Sequence, residues 1–153
     1  MRPRLILALY LLLPLLAFAA PRLKIQPPEG FAEAEPGRDA AYRALSPEGM
    51  LFRVRLFRNE PEKSLGFWGE ALKNHLVKEG YRLNGEGRAF QAGETAGTAF
   101  EWAVPFGTES YLYLTAVLVT PKRIILAEAA GPYALFTRYR QGLEQSLQSI
   151  RLR

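Results

Sequence analysis

The sequence contains no cysteine, one histidine and one aspartate. Without cysteine the chain can form neither a disulfide nor a thiolate metal site, and it cannot carry a lipid on an N-terminal cysteine. With His75 as its only imidazole, a zinc site would need carboxylates almost alone, which is unlike the usual ligand sets. Asp39 has no second aspartate two residues away, so no calcium-binding loop is visible. The sequence therefore predicts no metal site and no cofactor.

Catalytic and nucleotide-binding signatures are missing as well. A Ser-His-acid triad would have to use His75, and no G-x-S-x-G motif accompanies it. Gly85-Glu86-Gly87 lacks the third glycine and the following helix of a dinucleotide-binding fingerprint. We therefore expect no catalytic residue and no enzyme activity.

Runs of basic residues are also absent, because the lysines and arginines are scattered along the chain. The formal net charge is +5, and removal of Arg2 and Arg4 with an N-terminal signal would leave +3. A mildly basic chain of this kind does not indicate nucleic-acid binding.

The N-terminal segment is typical of a secretory signal peptide. Basic Met1–Arg4 precedes the apolar run Leu5–Ala19, which ends in the small-x-small triplet Ala17-Phe18-Ala19. This predicts a signal peptide over residues 1–19, a single α+β domain over residues 20–153, and an exported protein, periplasmic or secreted. The alternative is an uncleaved anchor, but the run is shorter than the ~20 residues of a spanning helix, and Pro14 interrupts it. Membrane association is expected only if the signal is uncleaved.

The segment Thr98–Ala130 is the most regular part of the chain. Its three β-rich runs, Thr98–Phe106, Tyr111–Val119 and Ile124–Ala130, are separated by short turn signals, which is the pattern of an antiparallel meander. When side chains are assigned alternately to two faces, one face is aromatic and bulky, and the other consists of leucine and alanine. A sheet with one wet face would alternate apolar and polar residues, so we expect cover on both faces.

Two amphipathic helices are predicted to provide that cover. The first is expected at about Glu62–Glu79, followed by Gly80 as a C-terminal cap. Its apolar stripe consists of Leu65, Trp68, Leu72 and Leu76. The second begins after Gly131-Pro132 and runs to the chain end. Its apolar stripe consists of Phe136, Tyr139, Leu143, Leu147 and Ile150. The predicted fold class is α+β, with an antiparallel β-sheet flanked by helices in an α/β/α sandwich.

Short strands and turns are predicted elsewhere. Strands are expected at Arg22–Gln26, Ala40–Leu45 and Met50–Arg58. Glu29–Arg38 is predicted as a loop, because it combines glycine, proline and charge without periodicity. Tyr81–Leu83 and Arg88–Ala92 are predicted to form a hairpin around Asn84-Gly85, and Gly93–Gly97 is predicted as the next turn.

Glu101 and Glu128 interrupt otherwise apolar strand faces. By their positions in the strands they point to opposite faces, so they are not expected to form a paired-carboxylate site. A buried carboxylate without a partner would be costly. Glu101 is therefore expected to form an ion pair with Arg53 or Arg55, or to lie at the margin of the sheet.

The order of the elements follows a known pattern. An early strand pair leads to a helix that ends at Gly80-Tyr81, and a short strand pair and the Gly93–Gly97 turn follow. The aromatic meander and a terminal helix that begins at Gly131-Pro132 complete the series. Over about Leu23–Leu152 this order resembles the PsbP-like superfamily, which includes an extrinsic photosystem II subunit, a Ran-binding eukaryotic protein and DcrB-related bacterial envelope proteins. The resemblance implies an antiparallel sheet between helices and a binding or accessory role, and no metal-site residue can be matched.

Four aromatic residues are the candidate contact residues. Phe67 lies on the side of the first helix opposite its apolar stripe, so it is predicted to be exposed and to contact a partner. Trp102, Tyr111 and Tyr113 share one face of the predicted sheet and could line a ligand pocket, although core packing under a helix is the commoner use of such residues.

These observations together predict a non-catalytic, exported binding or accessory protein of the cell envelope. Its expected partner is a protein or another envelope component. The alternatives are a small-ligand carrier that uses the pocket at Trp102, and a hydrolase that uses His75.

Overall fold

The computed structural model of the protein describes residues 21–153. The predicted signal peptide, residues 1–19, lies outside the described residues. The strands are β1 Leu23–Lys24, β2 Ala32–Ala34, β3 Tyr42–Leu45, β4 Leu51–Arg58, β5 Arg82–Leu83, β6 Arg88–Ala92, β7 Thr95–Phe106, β8 Glu109–Val119, β9 Arg123–Pro132 and β10 Arg151–Leu152. The helices are α1 Leu65–Lys78 and α2 Tyr133–Ser149.

Strands β2 to β9 form one antiparallel sheet in the order β2-β3-β4-β9-β8-β7-β5, and β6 also pairs with β7. The predicted meander is present as β7, β8 and β9, with Trp102 opposite Tyr113 and Leu114 opposite Ala129. Strand β4 pairs with β9 along its whole length. The meander therefore forms the centre of the sheet together with an earlier strand.

The leucine and alanine face of the sheet packs against α2. Leu112, Leu114 and Leu118 of β8 are buried there, and Phe136 and Leu143 of α2 lie against them. Because these side chains are removed from water in one contiguous cluster, this face is the main hydrophobic core.

The opposite face, which we call the outer face, packs against α1. Leu72 and Leu76 of the helix contact Phe100 and Trp102 of β7. With the helices on opposite faces, the predicted α+β fold with helices flanking the sheet is confirmed. The cover on the outer face is partial, because α1 packs on β5, β7 and β8. Phe57 of β4 is 43% exposed on this face.

The helix boundaries follow local capping. Helix α1 begins at Leu65, later than expected, because the Ser64 hydroxyl accepts a hydrogen bond from the Phe67 amide at 3.2 Å and caps the helix there. Helix α2 ends at Ser149, so the prediction of a helix to the chain end is wrong. Strand β10 instead pairs with β1, and Arg151 donates to the main-chain oxygen of Gln148 at 2.8 Å.

Two further predictions for the strands are wrong. Strands β5 and β6 do not form a hairpin: both pair with β7, where Leu83 lies opposite Trp102 and Arg88 lies opposite Ala99. The segment predicted as a loop contains β2, which pairs with β3 at the sheet edge. In both cases pairing with a neighbouring strand outweighs the local turn signal.

Neither of the two helices within residues 21–153 is long and apolar enough to cross a membrane.

Candidate functional site

The uncovered part of the outer face and the flank of α1 enclose an open groove of about 370 Å³. We call it the α1 groove. Its floor consists of Phe57 on β4, Val117 on β8, and Ile124 and Leu126 on β9. Its wall consists of Trp68, Ala71, Leu72 and His75 on α1. The volume lies in the range of about 300–1,000 Å³ that is usual for ligand pockets.

The floor follows from the strand register. Phe57 lies opposite Ile124, and Leu126 lies opposite Val117, so these side chains project from the same face. Val117 and Leu126 are buried, because α1 packs on the β7 and β8 side of the sheet, whereas Phe57 and Ile124, further towards β4, stay partly exposed. The result is a narrow apolar groove along the edge of the helix.

The wall is positioned by Asn59, a buried residue that directly follows β4. Its side-chain oxygen accepts hydrogen bonds from the Trp68 indole at 2.7 Å and from the Lys63 amide at 3.0 Å. Its side-chain nitrogen donates to the carbonyl oxygens of Lys63 at 3.1 Å and Thr120 at 3.0 Å. One side chain thus connects the start of α1, the preceding loop and the β8–β9 turn. Asn59 was not among the residues predicted from the sequence, although an asparagine shortly before a helix start was an available signal.

A charged cluster adjoins the floor on the same face. The Glu128 carboxylate, 4% exposed as a residue, accepts hydrogen bonds from Arg53 at 3.0 Å and from Arg55 at 2.8 and 2.9 Å. It also accepts a hydrogen bond of 2.5 Å from the Tyr113 hydroxyl. Asp39 adds a second carboxylate, 3.1 Å from Arg53. The cluster therefore satisfies the buried acid fully.

The expected ion pair of Glu101 with Arg53 or Arg55 is wrong, because those arginines lie on the opposite face and bind Glu128. Glu101 instead accepts a hydrogen bond from Arg140 of α2 and lies 3.9 Å from Arg88. The predicted separation of Glu101 and Glu128 onto opposite faces is confirmed by these partners.

The position of Tyr113 in the cluster raises the pKa of its hydroxyl. Burial of its ring raises the pKa of the hydroxyl well above the ordinary value, and the hydrogen bond to Glu128 raises it further. Tyr113 therefore acts as a neutral donor to the buried carboxylate.

Two arginines lie near the groove. Arg58 lines it with a side chain that is 74% exposed, and a contact of 3.9 Å joins that side chain to Glu60. The Arg55 guanidinium lies 5.5 Å from the centre of the Phe57 ring, but it is already held by Glu128.

His75 lies in the wall with its side chain exposed. No hydrogen bond to the His75 imidazole is found within residues 21–153. In the same part of the chain, no three of the histidine, aspartate and glutamate side chains lie close enough together to hold a metal ion.

The candidate contact residues lie in different environments. Phe67 is 49% exposed, and its ring packs edge-on against Trp68 at 5.1 Å, next to the groove wall. Trp102 is fully buried and donates from its indole to the Thr115 hydroxyl at 3.0 Å. Tyr111 and Tyr113 are half-buried on β8. A ligand could reach Trp102 only if α1 moved, so a pocket formed by these three residues stays a prediction.

A second cleft, of about 810 Å³, lies between the β1–β10 ribbon, the end of α2 and the edge of the sheet. Charged and amide side chains alternate with apolar ones along it, among them Lys24, Glu33, Gln145 and Gln148. Its aromatic ring, that of Tyr42, is half-buried, whereas the α1 groove has the exposed ring of Phe57, so we take the groove as the candidate site.

The fold is that of PsbP-like proteins. It is similar to cyanobacterial PsbP from Synechocystis, with a TM-score of 0.59 and 8% identity over 90% of this chain and 95% of that one. It is also similar to LpqN of Mycobacterium tuberculosis, described as involved in cell envelope biogenesis, with a TM-score of 0.67 and 10% identity over 87% of this chain and 84% of that one. A Pseudomonas aeruginosa protein of unknown function gives a TM-score of 0.60 and 9% identity over 90% of this chain and 87% of that one.

No family model matches the sequence, and no curated protein matches it. At these identities the similarity to solved structures shows the fold alone.

Proposed function

We propose that the protein is a non-catalytic, exported binding module of the cell envelope, and that it binds its partner in the α1 groove. The observation that carries the proposal is the apolar, open groove beside α1, with Phe57 and Trp68 on its surface. A concave apolar groove is the usual form of a small-molecule binding site.

The non-catalytic part of the proposal rests on the chemistry of the groove. Its walls are carbon-rich, and its one titratable imidazole, His75, has no hydrogen-bonded acid or nucleophile among the described residues. Catalysis by such a group needs a base and an orienting partner within hydrogen-bond reach. The groove suits retention of an apolar group better than bond cleavage.

The envelope location rests on two independent supports. The first is the signal-peptide pattern of residues 1–19. The second is the similar fold of LpqN, whose description places it in cell envelope biogenesis. A binding role outside the cytoplasm is consistent with a chain that contains no cysteine to be oxidised.

The test is to fill the groove. Ala71 is exposed in the wall, so Ala71→Phe reduces the open volume without cutting into the core. Ala134→Phe, at an exposed position of α2, is the matched control. We expect the protein to bind 1-anilinonaphthalene-8-sulfonate, an anionic dye with an apolar aromatic body, and we expect Ala71→Phe to weaken binding about tenfold while Ala134→Phe leaves it unchanged.

Two results would contradict the proposal. One is equal binding of the dye by both variants, which would show that the dye binds outside the α1 groove. The other is hydrolase activity on ester or phosphoester substrates that disappears in His75→Ala, which would favour the enzyme alternative.

A further inference from the structure

The ribbon formed by β1 and β10 presents a patch of positively charged side chains. We infer that this ribbon docks the exported domain on an anionic phospholipid surface. The inference does not depend on the α1 groove, because the ribbon packs on the core that faces α2, whereas the groove lies on the outer face.

The alternation of side chains in the ribbon separates its apolar residues from its charged ones. Leu23 lies opposite Leu152, and both pack on the main core. Lys24 lies opposite Arg151 in the next pair, and both are exposed. Because successive side chains of a strand point to opposite faces, the charged pair lies on the face turned away from the core.

The same face continues at the outer end of the ribbon. The Arg22 amide donates to the main-chain oxygen of Arg153 at 2.8 Å, and the Arg153 amide donates to Arg22 at 2.9 Å. These two side chains are also exposed, and by alternation they share the face of Lys24 and Arg151. We call these four residues the basic patch.

Folding concentrates the positive charge of the chain in the basic patch. Without Arg2 and Arg4 the formal net charge is +3. The patch holds four cations, so the rest of residues 20–153 carries one more negative charge than positive charges. The basic residues are scattered in the sequence because two members of the patch come from each end of the domain.

Acidic side chains do not neutralise the basic patch. Within residues 21–153, no salt bridge joins any of its four side chains to an acid. Glu33 lines the neighbouring cleft together with Lys24, and a carboxylate at Arg153 would offset one charge. Like charges directly opposite each other destabilise a strand pair, so an anion bound beside Lys24 and Arg151 relieves their repulsion.

The position of the patch in the chain indicates a membrane as its partner. Arg22 follows the predicted signal peptide, residues 1–19, after only Ala20 and Pro21. The ribbon is therefore the corner of the domain that lies nearest the membrane during export. Anionic phospholipids attract lysine and arginine side chains at such a surface. An acidic protein fits less well, because Leu23 and Leu152 face the core and leave the ribbon without the apolar centre of a protein interface.

The contact is peripheral, because no leucine of the ribbon is free to enter the bilayer. Its attraction is electrostatic, and salt screens it. The sequence alone predicts membrane association only through an uncleaved signal, whereas the ribbon provides a contact that remains after cleavage.

Co-sedimentation of residues 20–153 with vesicles tests the inference. One set of vesicles contains phosphatidylcholine alone, and the other contains equal amounts of phosphatidylcholine and phosphatidylglycerol. We expect binding to the second set only, and we expect that binding to be lost as salt is raised.

Two double variants test the role of the patch. Each cation at an anionic bilayer strengthens binding roughly fivefold, so Lys24→Gln with Arg153→Gln should weaken binding about twentyfold. Arg151 is left unchanged, because its guanidinium donates to main-chain oxygens at the end of α2. The matched control is Lys78→Gln with Arg82→Gln, exposed cations of α1 and β5 that lie away from the ribbon. It removes the same charge and should weaken binding less than about threefold.

Four outcomes would overturn the inference. Equal weakening in the two double variants would show that total charge acts and the ribbon does not. Equal binding to both sets of vesicles, or binding that persists at high salt, would exclude an electrostatic contact. No binding to either set would exclude the membrane. Tighter binding to soluble polyglutamate than to the anionic vesicles would indicate an acidic protein as the partner instead. None of these results bears on dye binding in the α1 groove.

Discussion

The indole nitrogen of Trp68 donates a hydrogen bond to the side-chain oxygen of Asn59 over 2.7 Å. Through the same asparagine, the wall of the α1 groove is tied to the β8–β9 turn at Thr120. The groove therefore keeps its width because one buried amide fixes the start of the helix relative to the sheet.

Replacement of Asn59 by alanine is expected to destabilise the protein by about 2–3 kcal/mol, because the indole and three main-chain groups lose their partner. Urea denaturation of the folded domain measures this loss. Asn74→Ala, at an exposed position of α1, is the control and should change the free energy of unfolding by less than about 0.5 kcal/mol. Equal effects of the two substitutions would show that Asn59 does not hold the helix.

Replacement of Glu128 by glutamine removes the charge that Arg53 and Arg55 share. Breaking a fully buried pair typically costs about 3–5 kcal/mol, and we expect about 2–3 kcal/mol here because both arginines are partly exposed. Thermal and chemical denaturation measure the loss. Glu94→Gln, in the exposed turn before β7, is the matched control. If Glu128→Gln is as stable as this control, the cluster contributes nothing to folding.

The raised pKa of Tyr113 predicts a loss of stability in alkaline solution. Burial, aided by the bond to Glu128, keeps the folded hydroxyl protonated above the ordinary pKa of 10.0. Its contribution is fully present below that value and is lost as the pH rises towards the pKa in the folded state, because the unfolded chain releases the proton first.

Urea denaturation between about pH 8 and pH 11 tests this prediction. Tyr113→Phe should lose stability less steeply with pH than the unchanged protein. Tyr133→Phe is the control, because that ring is 58% exposed. Parallel curves for the unchanged protein and Tyr113→Phe would contradict the assignment.

Gly97 lies within β7, where a side chain would collide with a neighbouring ring. A Cβ at this position would lie 2.5 Å from two ring carbons of Phe90. We expect Gly97→Ala to destabilise the protein by about 1–3 kcal/mol, because the packed ring must move. Gly66→Ala in α1 meets only the Ser64 hydroxyl, at 3.8 Å, so it should be neutral or stabilising. A denaturation experiment should therefore show a loss of stability in Gly97→Ala and none in Gly66→Ala, and equal losses would contradict the prediction.

The meander and the two helices could be predicted because their signals are local. A short apolar run rich in aromatic and β-branched residues between turn signals marks β8, and a stripe that contains Leu65, Leu72 and Leu76 marks α1, whichever neighbours they later acquire. The prediction of a hairpin at Asn84-Gly85 was wrong because a turn signal depends only on neighbouring residues. The positions of β5 and β6 are instead determined by pairing with β7, a strand that comes later in the sequence.

Two features of the candidate site could not be predicted from the sequence. The first is the partner of Glu128, which is determined by the register of β4 against β9, strands that are separated in the sequence by a helix and four other strands. The groove exists because α1 covers one part of the outer face and leaves Phe57 exposed, which is a matter of packing between elements. The alternation of Arg53, Arg55 and Phe57 along β4 was the one available signal of an uncovered face.

The ribbon formed by β1 and β10 has a practical consequence for handling the protein. Leu23 lies opposite Leu152, and both pack on the cluster that faces α2. A tether added near either end would therefore leave from the same corner, on the side of the sheet away from Phe57. A molecule immobilised on a sensor chip or a bead through that corner would present the α1 groove to the bulk solution.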